Sequence, residues 1–316
     1  MGERVLVTGG AGFIGSHVAE LYLARGYEVT VLDNLSSGRL TNLPAGATFV
    51  QADVGSPEAR ALLATGGFGV LNHHAAQLDV RVSVADPALD ARVNILGLIN
   101  LLEGSREGGV RRVVFASSGG VVYGESTRLP HLEEAPKLPI SPYGVSKLAS
   151  EFYLAVYAQL YGLVTVSLRY ANVYGPRQSP HGEAGVVAIF ANRIASGREL
   201  TVYGAGEQTR DYVYVGDVAR ANLAASSWAG KLEGGIDSVA FNVGTGIETS
   251  VNSLVDAMLR ATVASNPVTL APARSGELQR SAVDSRKARR ELGWTPAMSL
   301  EEGLQRTYEW VTGEQR

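Results

Sequence analysis

Tyr143 and Lys147 are the residues in this 316-residue sequence whose types and spacing point most directly to chemistry. They stand four positions apart just after Pro142, and a helix that begins near that proline would carry both on one face. A nearby ammonium group favours the phenolate form and lowers the pKa of a tyrosine. Such a tyrosine can act as a general base near neutral pH. Most pairs with this spacing lie on solvated helix faces. The surrounding elements therefore decide how strongly this pair indicates a catalytic site.

Ser117 and Ser118 close an apolar, β-branched run that begins at Arg112 and predicts a buried strand. Two glycines follow, and the helix that carries Tyr143 comes next along the chain. In open α/β folds, ligands bind at the carboxyl ends of the strands. We therefore expect the two serine hydroxyls to face the same crevice as Tyr143.

A glycine-rich turn lies between a strand predicted at 4–8 and a helical pattern that ends near residue 26. Gly9 permits a tight turn, Gly12 lets backbone approach a pyrophosphate, and Gly15 lets the helix lie close to the strand. The helix N-terminus, at Phe13 and Ile14, offers unpaired N–H groups and the positive end of the helix dipole to phosphates. This pattern is typical of a dinucleotide site.

Asp33 ends the second predicted strand, at 28–32, about 20 residues beyond the glycines, where a carboxylate can accept both ribose hydroxyls of an adenosine. The structural alternative is a loop carboxylate that caps the next turn. Asp33 would repel a 2′-phosphate, and Arg39 is the nearby cation that could offset this repulsion. The sequence therefore favours NAD over NADP.

Strands and helices alternate through the first half of the chain, and continuous apolar strands between helices indicate a parallel sheet covered on both faces. We predict an α/β fold, a Rossmann-type doubly wound parallel sheet with a smaller C-terminal α/β substrate lobe. The NAD-binding domain is placed at 1–171, with a return of parts of 211–248, and the second domain at 172–316. Further strands are predicted at 48–51, 68–72, 112–116, 163–169 and 200–203, and helices at 56–64, 87–104, 143–161, 186–196, 215–228, 251–261 and 300–311.

The composition argues against several classes of protein. The chain has no cysteine, which excludes disulfides and thiolate chemistry, and its net charge of −3 argues against a nucleic-acid partner. No apolar run approaches the roughly 18 residues of a membrane span, and an early strand leaves no room for a signal peptide, so we expect a cytoplasmic location. Adjacent His73 and His74 would point to opposite faces of a strand, and no metal is predicted. His181 and Glu183 are expected in a mobile loop.

The sequence resembles the extended short-chain dehydrogenase/reductases that act on nucleotide sugars, and among them the UDP-glucose 4-epimerases. The resemblance rests on the glycine loop and on the segments 141–147, 168–176 and 210–212, and it covers nearly the whole chain. It implies NAD as cofactor, a UDP-sugar as substrate and a homodimer. Cofactor contacts are implied for Gly9, Gly12, Phe13, Ile14, Gly15, Asp33, Asn34, Asp53, Val54, Ala75, Ala76, Asn94, Tyr143, Lys147 and Tyr170. Substrate contacts are implied for Asn172, Arg210, Arg274, Glu277 and Ser281, and catalysis for Ser117 or Ser118 with Tyr143 and Lys147.

The reaction implied by the resemblance is reversible oxidation at C4 of the hexose. Tyr143 takes the proton of the 4-hydroxyl, a serine hydroxyl bonds the developing oxygen charge, and the 4-keto sugar turns over before it is reduced again. In the family, the residue at the position of Ser281 limits the size of the 2-substituent of the sugar. The small side chain of Ser281 is therefore expected to admit N-acetylhexosamines. The helices at 87–104 and 143–161 are expected to pack as a four-helix bundle between two copies.

The loop after the serines departs from the family pattern. Aligned on the Val-Tyr-Gly at 122–124, the serine or threonine of the family falls on Gly119, so either Ser118 acts through one extra loop residue or Ser117 reaches in. Two glycines could supply the necessary bulge. Dehydrating relatives have an Asp-Glu pair next and decarboxylating relatives keep the Glu, whereas this chain has Gly120 and Val121. This favours epimerisation over the alternatives, a dehydratase or decarboxylase of the same family or a non-catalytic NAD-binding module.

Overall fold

Short runs of valine, leucine and threonine form the strands of one parallel sheet. The computed structural model describes residues 2–125, 128–180, 185–273 and 278–314. In this part of the chain seven parallel strands lie in the order β11-β6-β5-β4-β1-β2-β3. The strands of the described residues are β1 (Arg4–Thr8), β2 (Glu28–Asp33), β3 (Thr48–Gln51), β4 (Val70–His73), β5 (Arg112–Ser118), β6 (Val164–Tyr170), β7 (Asn172–Tyr174), β8 (Leu200–Tyr203), β9 (Thr209–Arg210), β10 (Tyr212–Tyr214), β11 (Ala240–Val243), β12 (Thr249–Ser250) and β13 (Val268–Ala271).

Helices cover both faces of this sheet. Leu6 packs with Leu98 on one face, whereas Val7 packs with Val18 on the other, as the two-residue period of a strand requires. The sheet is therefore buried on both sides, which confirms the predicted doubly wound α/β architecture. The α-helices of the described residues are α1 (Phe13–Ala24), α2 (Pro57–Thr65), α3 (Val80–Ala85), α4 (Pro87–Ala91), α5 (Gly97–Glu107), α6 (Gly119–Val122), α7 (Pro142–Tyr161), α8 (Val186–Ala195), α9 (Val215–Ser227), α10 (Val251–Thr262), α11 (Arg286–Leu292) and α12 (Leu300–Glu314).

The order of the strands reverses between β1 and β4. The chain moves from β1 outward to β2 and β3, then returns to β4 on the other side of β1. Such a reversal opens a crevice beyond the carboxyl ends of the two strands. The glycine loop follows β1 and the His-His-Ala-Ala segment follows β4, so both border this crevice.

The second half of the chain contributes both to the sheet and to a separate cluster. Strand β11 pairs with β6, and α9 packs against α1, where the hydroxyls of Tyr22 and Ser226 form a hydrogen bond. Three two-stranded pairs, β7 with β10, β9 with β12 and β8 with β13, belong to the smaller lobe. Its own buried core includes Phe190, Leu254 and Met258. The boundary at residue 171 stays a prediction.

The helix predicted at 87–104 is not one regular α-helix. It consists of α4, a π-helical turn at Arg92–Leu96, and α5, which runs on to Glu107. A π turn adds one residue to a helical turn, and here it carries the side chain of Asn94 inward to the segment that follows β4. Periodicity alone does not reveal such a turn, because the polar contact that accompanies it is distant in sequence.

The structure also answers whether a helix could cross a membrane. Within the described residues, no helix combines the necessary length with the necessary apolar character.

Candidate active site

The glycine loop forms a cradle of backbone at the end of β1. Gly9 has φ of +67°, and a Cβ atom there would lie 2.6 Å from the backbone nitrogen of Ala75, so only glycine fits. Gly12 precedes the first turn of α1 and supplies no side-chain cap to its N–H groups. These groups fit the phosphates of a dinucleotide. The loop residues predicted to contact the cofactor are Gly9, Gly12, Phe13, Ile14 and Gly15.

Asp33 lies beside this loop with its carboxylate already oriented by backbone. Its Oδ2 accepts a hydrogen bond from Ala11 N at 3.0 Å, and its Oδ1 accepts one from Leu35 N at 2.8 Å. Gly38 lies against it, because a Cβ atom there would stand 2.9 Å from Oδ1. Each oxygen keeps a lone pair for a further donor, so the carboxylate fits a ribose diol.

Asn34, Asp53 and Val54 connect the ends of β2 and β3. Asn34 Nδ2 donates to Asp53 Oδ2 at 2.9 Å, and both side chains are exposed. Val54 is buried and packs against Gly97, where a Cβ atom would lie 2.8 Å from a methyl group of the valine. The pair of Asp53 and Val54, both predicted to contact the cofactor, is thus held on the Val54 side by α5.

The segment after β4 carries Ala75 and Ala76 along the other side of the loop. Ala75 N donates to Thr8 Oγ1 at 3.3 Å, and the same hydroxyl lies 2.7 Å from His73 Nδ1. Burial lowers the pKa of His73 and of His74 to about 3, so both imidazoles are neutral at physiological pH. They act as packing and hydrogen-bonding groups, and the described residues contain no group of three side chains that could hold a metal ion.

Helix α7 begins in a way that fixes the direction of Tyr143. Ser141 Oγ accepts a hydrogen bond from Gly144 N at 3.2 Å, and Pro142 occupies the first helical position. Tyr143 is half-buried, while Lys147 is 4 % exposed one turn further on. The helix therefore brings the two residues to one face, with the ammonium beneath the phenol.

Lys147 is almost fully buried next to the half-buried ring of Tyr143. Its Nζ stands 5.7 Å from the centroid of the Tyr143 ring and donates to Ala116 O at 2.7 Å. Burial lowers the pKa of Lys147 to about 8, against the attraction of Asp90 and Glu151, which raises it. The lysine is therefore charged at neutral pH, although it loses its proton at a lower pH than an exposed lysine does.

The two serines at the end of β5 point in different directions. Ser117 is buried, and its Oγ donates to Glu151 Oε1 at 2.5 Å inside the protein. Ser118 is half-buried on the other side of the strand. A Cβ atom on Gly120 would lie 3.8 Å from Ser118 Oγ and 3.9 Å from Asn172 Oδ1, so these two side chains border the same space. Of the two hydroxyls, that of Ser118 is the one on the side of Asn172, which is predicted to contact the substrate.

The two glycines after Ser118, which could have supplied a bulge, form part of a helical turn. Strand β5 continues through Ser118, and Gly119–Val122 forms a helical turn. A Cβ atom on Gly119 would lie 2.8 Å from Val283 Cγ1, so this position faces the core and has no room for a serine.

Tyr170 closes β6 and is buried behind the crevice. Its hydroxyl accepts from Asn222 Nδ2 at 2.8 Å, and its ring lies nearly parallel to that of His74, with centroids 6.4 Å apart. Its contact surface toward a cofactor is therefore the ring, since the hydroxyl is used within the protein.

Two of the residues predicted to contact the substrate lie on short strands of the smaller lobe. Asn172 is exposed at the start of β7, and its backbone N–H donates to Asp211 O at 2.8 Å. Arg210 is half-buried in β9, with Nη1 donating to Thr209 O at 2.8 Å. Ser281 is buried in the segment that pairs with β9. Arg274 and Glu277, like His181 and Glu183, lie outside the described residues.

A buried ion pair behind Ser117 is absent from the sequence-based prediction. Arg169 is fully buried and donates to both carboxylate oxygens of Glu151 at 2.6 to 3.2 Å and to Asp237 Oδ1 at 2.8 Å. Glu151 lies two turns after Tyr143 on α7. A charged residue on the buried stripe of a helix is the signal that could have identified it.

A second buried polar cluster lies where α4 and the π-helical turn meet α7. Asn94 Oδ1 accepts from Gln77 N at 2.9 Å, and Asn94 Nδ2 donates to Gln77 O at 2.9 Å and to Asp90 Oδ1 at 3.0 Å. The predicted cofactor-side amide is thus bonded within the protein. Asp90 also accepts a hydrogen bond from Ser146 Oγ. The spacing of Asp90 and Asn94, one turn apart, is the sequence signal for this contact.

Known proteins share both the sequence and the fold. The UDP-glucose 4-epimerase of Mycolicibacterium smegmatis is 46% identical over 97% of this chain and 98% of its own length. A crystal structure of UDP-glucose 4-epimerase with UDP-glucose from Thermotoga maritima is 45% identical with a TM-score of 0.94, covering 99% of this chain and 100% of that one. A Thermus thermophilus UDP-glucose 4-epimerase in complex with NAD is 48% identical with a TM-score of 0.89, covering 98% and 99%.

The family profile matches most of the chain as well. The profile described as "NAD dependent epimerase/dehydratase family" aligns with residues 5–244, which include all of the parallel sheet except its first residue, Arg4, together with Tyr143 and Lys147. The family predicted from the sequence is confirmed. This chain belongs to the NAD dependent epimerase/dehydratase family.

Proposed function

We propose that this protein interconverts UDP-glucose and UDP-galactose by reversible oxidation at C4 of the hexose, with tightly bound NAD. The observation that carries the proposal is the stack of Tyr143 over the Lys147 ammonium, 5.7 Å from ring centroid to Nζ, at the mouth of the cofactor crevice. The similarity to UDP-glucose 4-epimerases over nearly the full length supports it.

In this proposal, NAD supplies the acceptor and donor for hydride when it is bound. Tyr143 takes the proton of the 4-hydroxyl, and the ammonium of Lys147 favours the phenolate that must do so. The hydroxyl of Ser118 donates to the sugar oxygen as negative charge develops there. Ser117 is assigned a structural part, because its hydroxyl is bonded to Glu151.

Epimerisation requires a nucleotide that is held firmly and a sugar that can turn. Asn172, Arg210 and Arg274 are proposed to hold the diphosphate, since guanidinium groups meet phosphate oxygens two at a time. Glu277 is proposed to add a polar contact to the nucleotide side of the substrate. Ser281 is proposed to border the 2-substituent and to leave room for an N-acetyl group. Residues 1–171 would then hold NAD, and 172–316 the UDP-sugar.

The loop after Ser118 favours epimerisation over dehydration. A dehydratase needs an acid that expels the 6-hydroxyl of the sugar, and this loop has Gly120 and Val121 at the corresponding positions. The atoms within 4 Å of a Cβ placed on Gly120 are Ser118 Oγ and Asn172 Oδ1, and neither belongs to an acid. The 4-keto sugar is therefore expected to be reduced again and not dehydrated.

A homodimer formed through α7 is part of the proposal. Phe152, Val156 and Leu160 are exposed along one stripe of this helix, at i, i+4 and i+8. A stripe of this kind is suited to a four-helix bundle between two copies. We expect Leu160→Glu to give a monomer in sedimentation experiments, whereas Leu270→Glu, at an equally exposed leucine of the smaller lobe, should leave the dimer intact. The cytoplasmic location expected from the sequence is kept as part of this proposal.

Incubation with three substrates tests the activity. UDP-galactose should give UDP-glucose, and UDP-N-acetylgalactosamine should give UDP-N-acetylglucosamine, without net consumption of NAD. UDP-glucuronate tests for a decarboxylase, and no carbon dioxide should be released. Stoichiometric reduction of NAD, a dehydrated sugar or released carbon dioxide would contradict the epimerase activity. Such a result would assign the protein the activity of another member of the family.

A further inference from the structure

We propose that Asp90 is the buried counter-ion of Lys147, and that its negative charge keeps this lysine in the ammonium form that the reaction requires. The inference rests on the role given to Lys147 in the proposed function. Asp90 does not touch the substrate or the cofactor in this account, so it is a positioning residue that acts through Lys147.

Asp90 is fully buried in α4 and makes hydrogen bonds only to neutral donors among the described residues. Its Oδ1 accepts from Gln77 Nε2 and from Asn94 Nδ2, each at 3.0 Å, and its Oδ2 accepts from Ser146 Oγ. A buried carboxylate is stable when it is hydrogen-bonded and lies near an opposite charge. Ser146 immediately precedes Lys147 in α7, so this contact joins Asp90 to the turn that carries the ammonium.

The titratable groups around Lys147 come from three elements. Tyr143 and Glu151 lie on α7 itself, Asp90 lies on α4, and His73 and His74 lie at the end of β4. Both histidines are neutral, because burial lowers the pKa of each to about 3. They therefore add no charge near Lys147 at physiological pH.

Glu151 differs from Asp90 in what surrounds it. Arg169, on β6, holds both oxygens of Glu151 in a fully buried ion pair, so the negative charge of Glu151 is shared with a guanidinium group. Asp90 has no such cation among its hydrogen-bond partners in the described residues. Both carboxylates attract the Lys147 ammonium, and Asp90 is the one whose charge is not paired with a guanidinium group.

The balance at Lys147 makes this charge important. Burial lowers the pKa of Lys147 to about 8, and the attraction of Asp90 is the largest opposing effect. Removing the charge should lower the pKa further, and the lysine would then lose its proton within the physiological range. A neutral amine neither favours the Tyr143 phenolate nor offers its full set of donors.

Asp90→Asn tests the charge with little change of shape. An amide at this position can keep its oxygen toward Gln77 and Asn94, and the hydroxyl of Ser146 can accept where it now donates. Ser146→Ala is the matched control, because it removes the contact and leaves the charge. The chain has four lysines, so protein labelled with 13C at lysine Cε gives few signals, and that of Lys147 can be assigned from Lys147→Met.

We expect the Lys147 signal to titrate about one pH unit lower in Asp90→Asn than in the natural protein, and within about 0.3 unit of it in Ser146→Ala. The epimerase activity of the NAD-bound enzyme should fall where Lys147 loses its proton. The turnover of Asp90→Asn should be about five-fold lower than that of the natural protein at pH 8 and nearly equal at pH 6. A loss that is equal at both pH values would indicate a purely structural role and would overturn the proposal, as would an unshifted titration.

A second variant covers the case in which Asp90→Asn does not fold. If Asp90 compensates the charge of Lys147, the double variant with Lys147→Met removes both charges and should fold again. A double variant that stays unfolded contradicts the counter-ion role. The titration needs no turnover, so a protein that binds NAD and fails to epimerise would refute the proposed function without deciding the role of Asp90.

Discussion

The two sides of the crevice are built in different ways. On the side of the sheet, polar side chains are fixed by bonds within the protein, as in Asp33 with two backbone N–H groups and Asn94 with Gln77. On the side of the smaller lobe, Asn172 is exposed on a three-residue strand and Arg210 lies on a two-residue strand. Preorganised groups bind a cofactor with little loss of conformational entropy. Short strands and loops, in contrast, can adapt to a sugar that turns.

This contrast separates chemistry from selectivity. Residues on the side of the sheet should control the rate for every substrate, because each substrate meets the same Tyr143 and Lys147. Residues of the smaller lobe should control which sugars enter and how firmly the nucleotide is held. Substitutions on the two sides should therefore change different kinetic constants.

Tyr143→Phe should have the largest effect. It removes the hydroxyl that takes the 4-hydroxyl proton and keeps the ring that packs over Lys147, so turnover should fall by about 10³-fold. The affinity for UDP, measured by calorimetry, should change by less than about two-fold, because the residues proposed to hold the diphosphate lie on the other lobe. Turnover within about ten-fold of the natural protein would remove Tyr143 as the base and erase the contrast between the two sides.

The two serines provide a matched pair with an intermediate effect. Ser118→Ala should lower turnover by about 10²-fold, as removal of one donor to a developing oxygen charge does. Ser117→Ala should leave turnover within a few-fold and lower the free energy of unfolding by about 1 to 3 kcal/mol, because it leaves buried Glu151 with one donor fewer. Turnover and urea unfolding measured on both variants decide the assignment. The reverse order of effects would show that Ser117 is the catalytic hydroxyl.

Ser281→Tyr should have the smallest effect on the natural reaction and the sharpest effect on selectivity. A bulky side chain in this buried position should lower kcat/KM for UDP-N-acetylgalactosamine by about 10 to 100-fold relative to UDP-galactose. Competition between the two substrates in one reaction measures the ratio directly. An unchanged ratio would mean that position 281 does not border the 2-substituent.

The same contrast explains what the sequence could predict. Strand β1, the glycine loop and Asp33 are local in sequence, with fixed spacing, and the structure places their backbone and side chains together as that spacing requires. The extra residue in the turn at Arg92–Leu96 and the ion pair of Arg169 with Glu151 depend on contacts between distant segments. Hydrophobic period and capping residues carry no information about such contacts.

The serines show the limit most clearly. The sequence leaves Ser117 and Ser118 as equal candidates, since they are neighbours of the same type. Strand geometry separates them, because adjacent side chains on β5 point to opposite faces and only one face meets α7 at Glu151. Asp90, the proposed counter-ion of Lys147, escapes sequence-based prediction for a related reason. Its hydrogen-bond partner on α7, Ser146, lies 56 residues away in the sequence.

The most direct test of the central claim follows a deuterium atom at C4 of the sugar. We expect UDP-galactose that carries deuterium at C4 to be converted to UDP-glucose that retains the deuterium at C4, since the hydrogen leaves the sugar and returns to the same molecule inside a closed crevice. Mass spectrometry and proton NMR of the product measure the retention. Loss of the deuterium to water, at a rate equal to that of conversion, would contradict oxidation and reduction at C4 and with it the role of the Tyr143 and Lys147 pair.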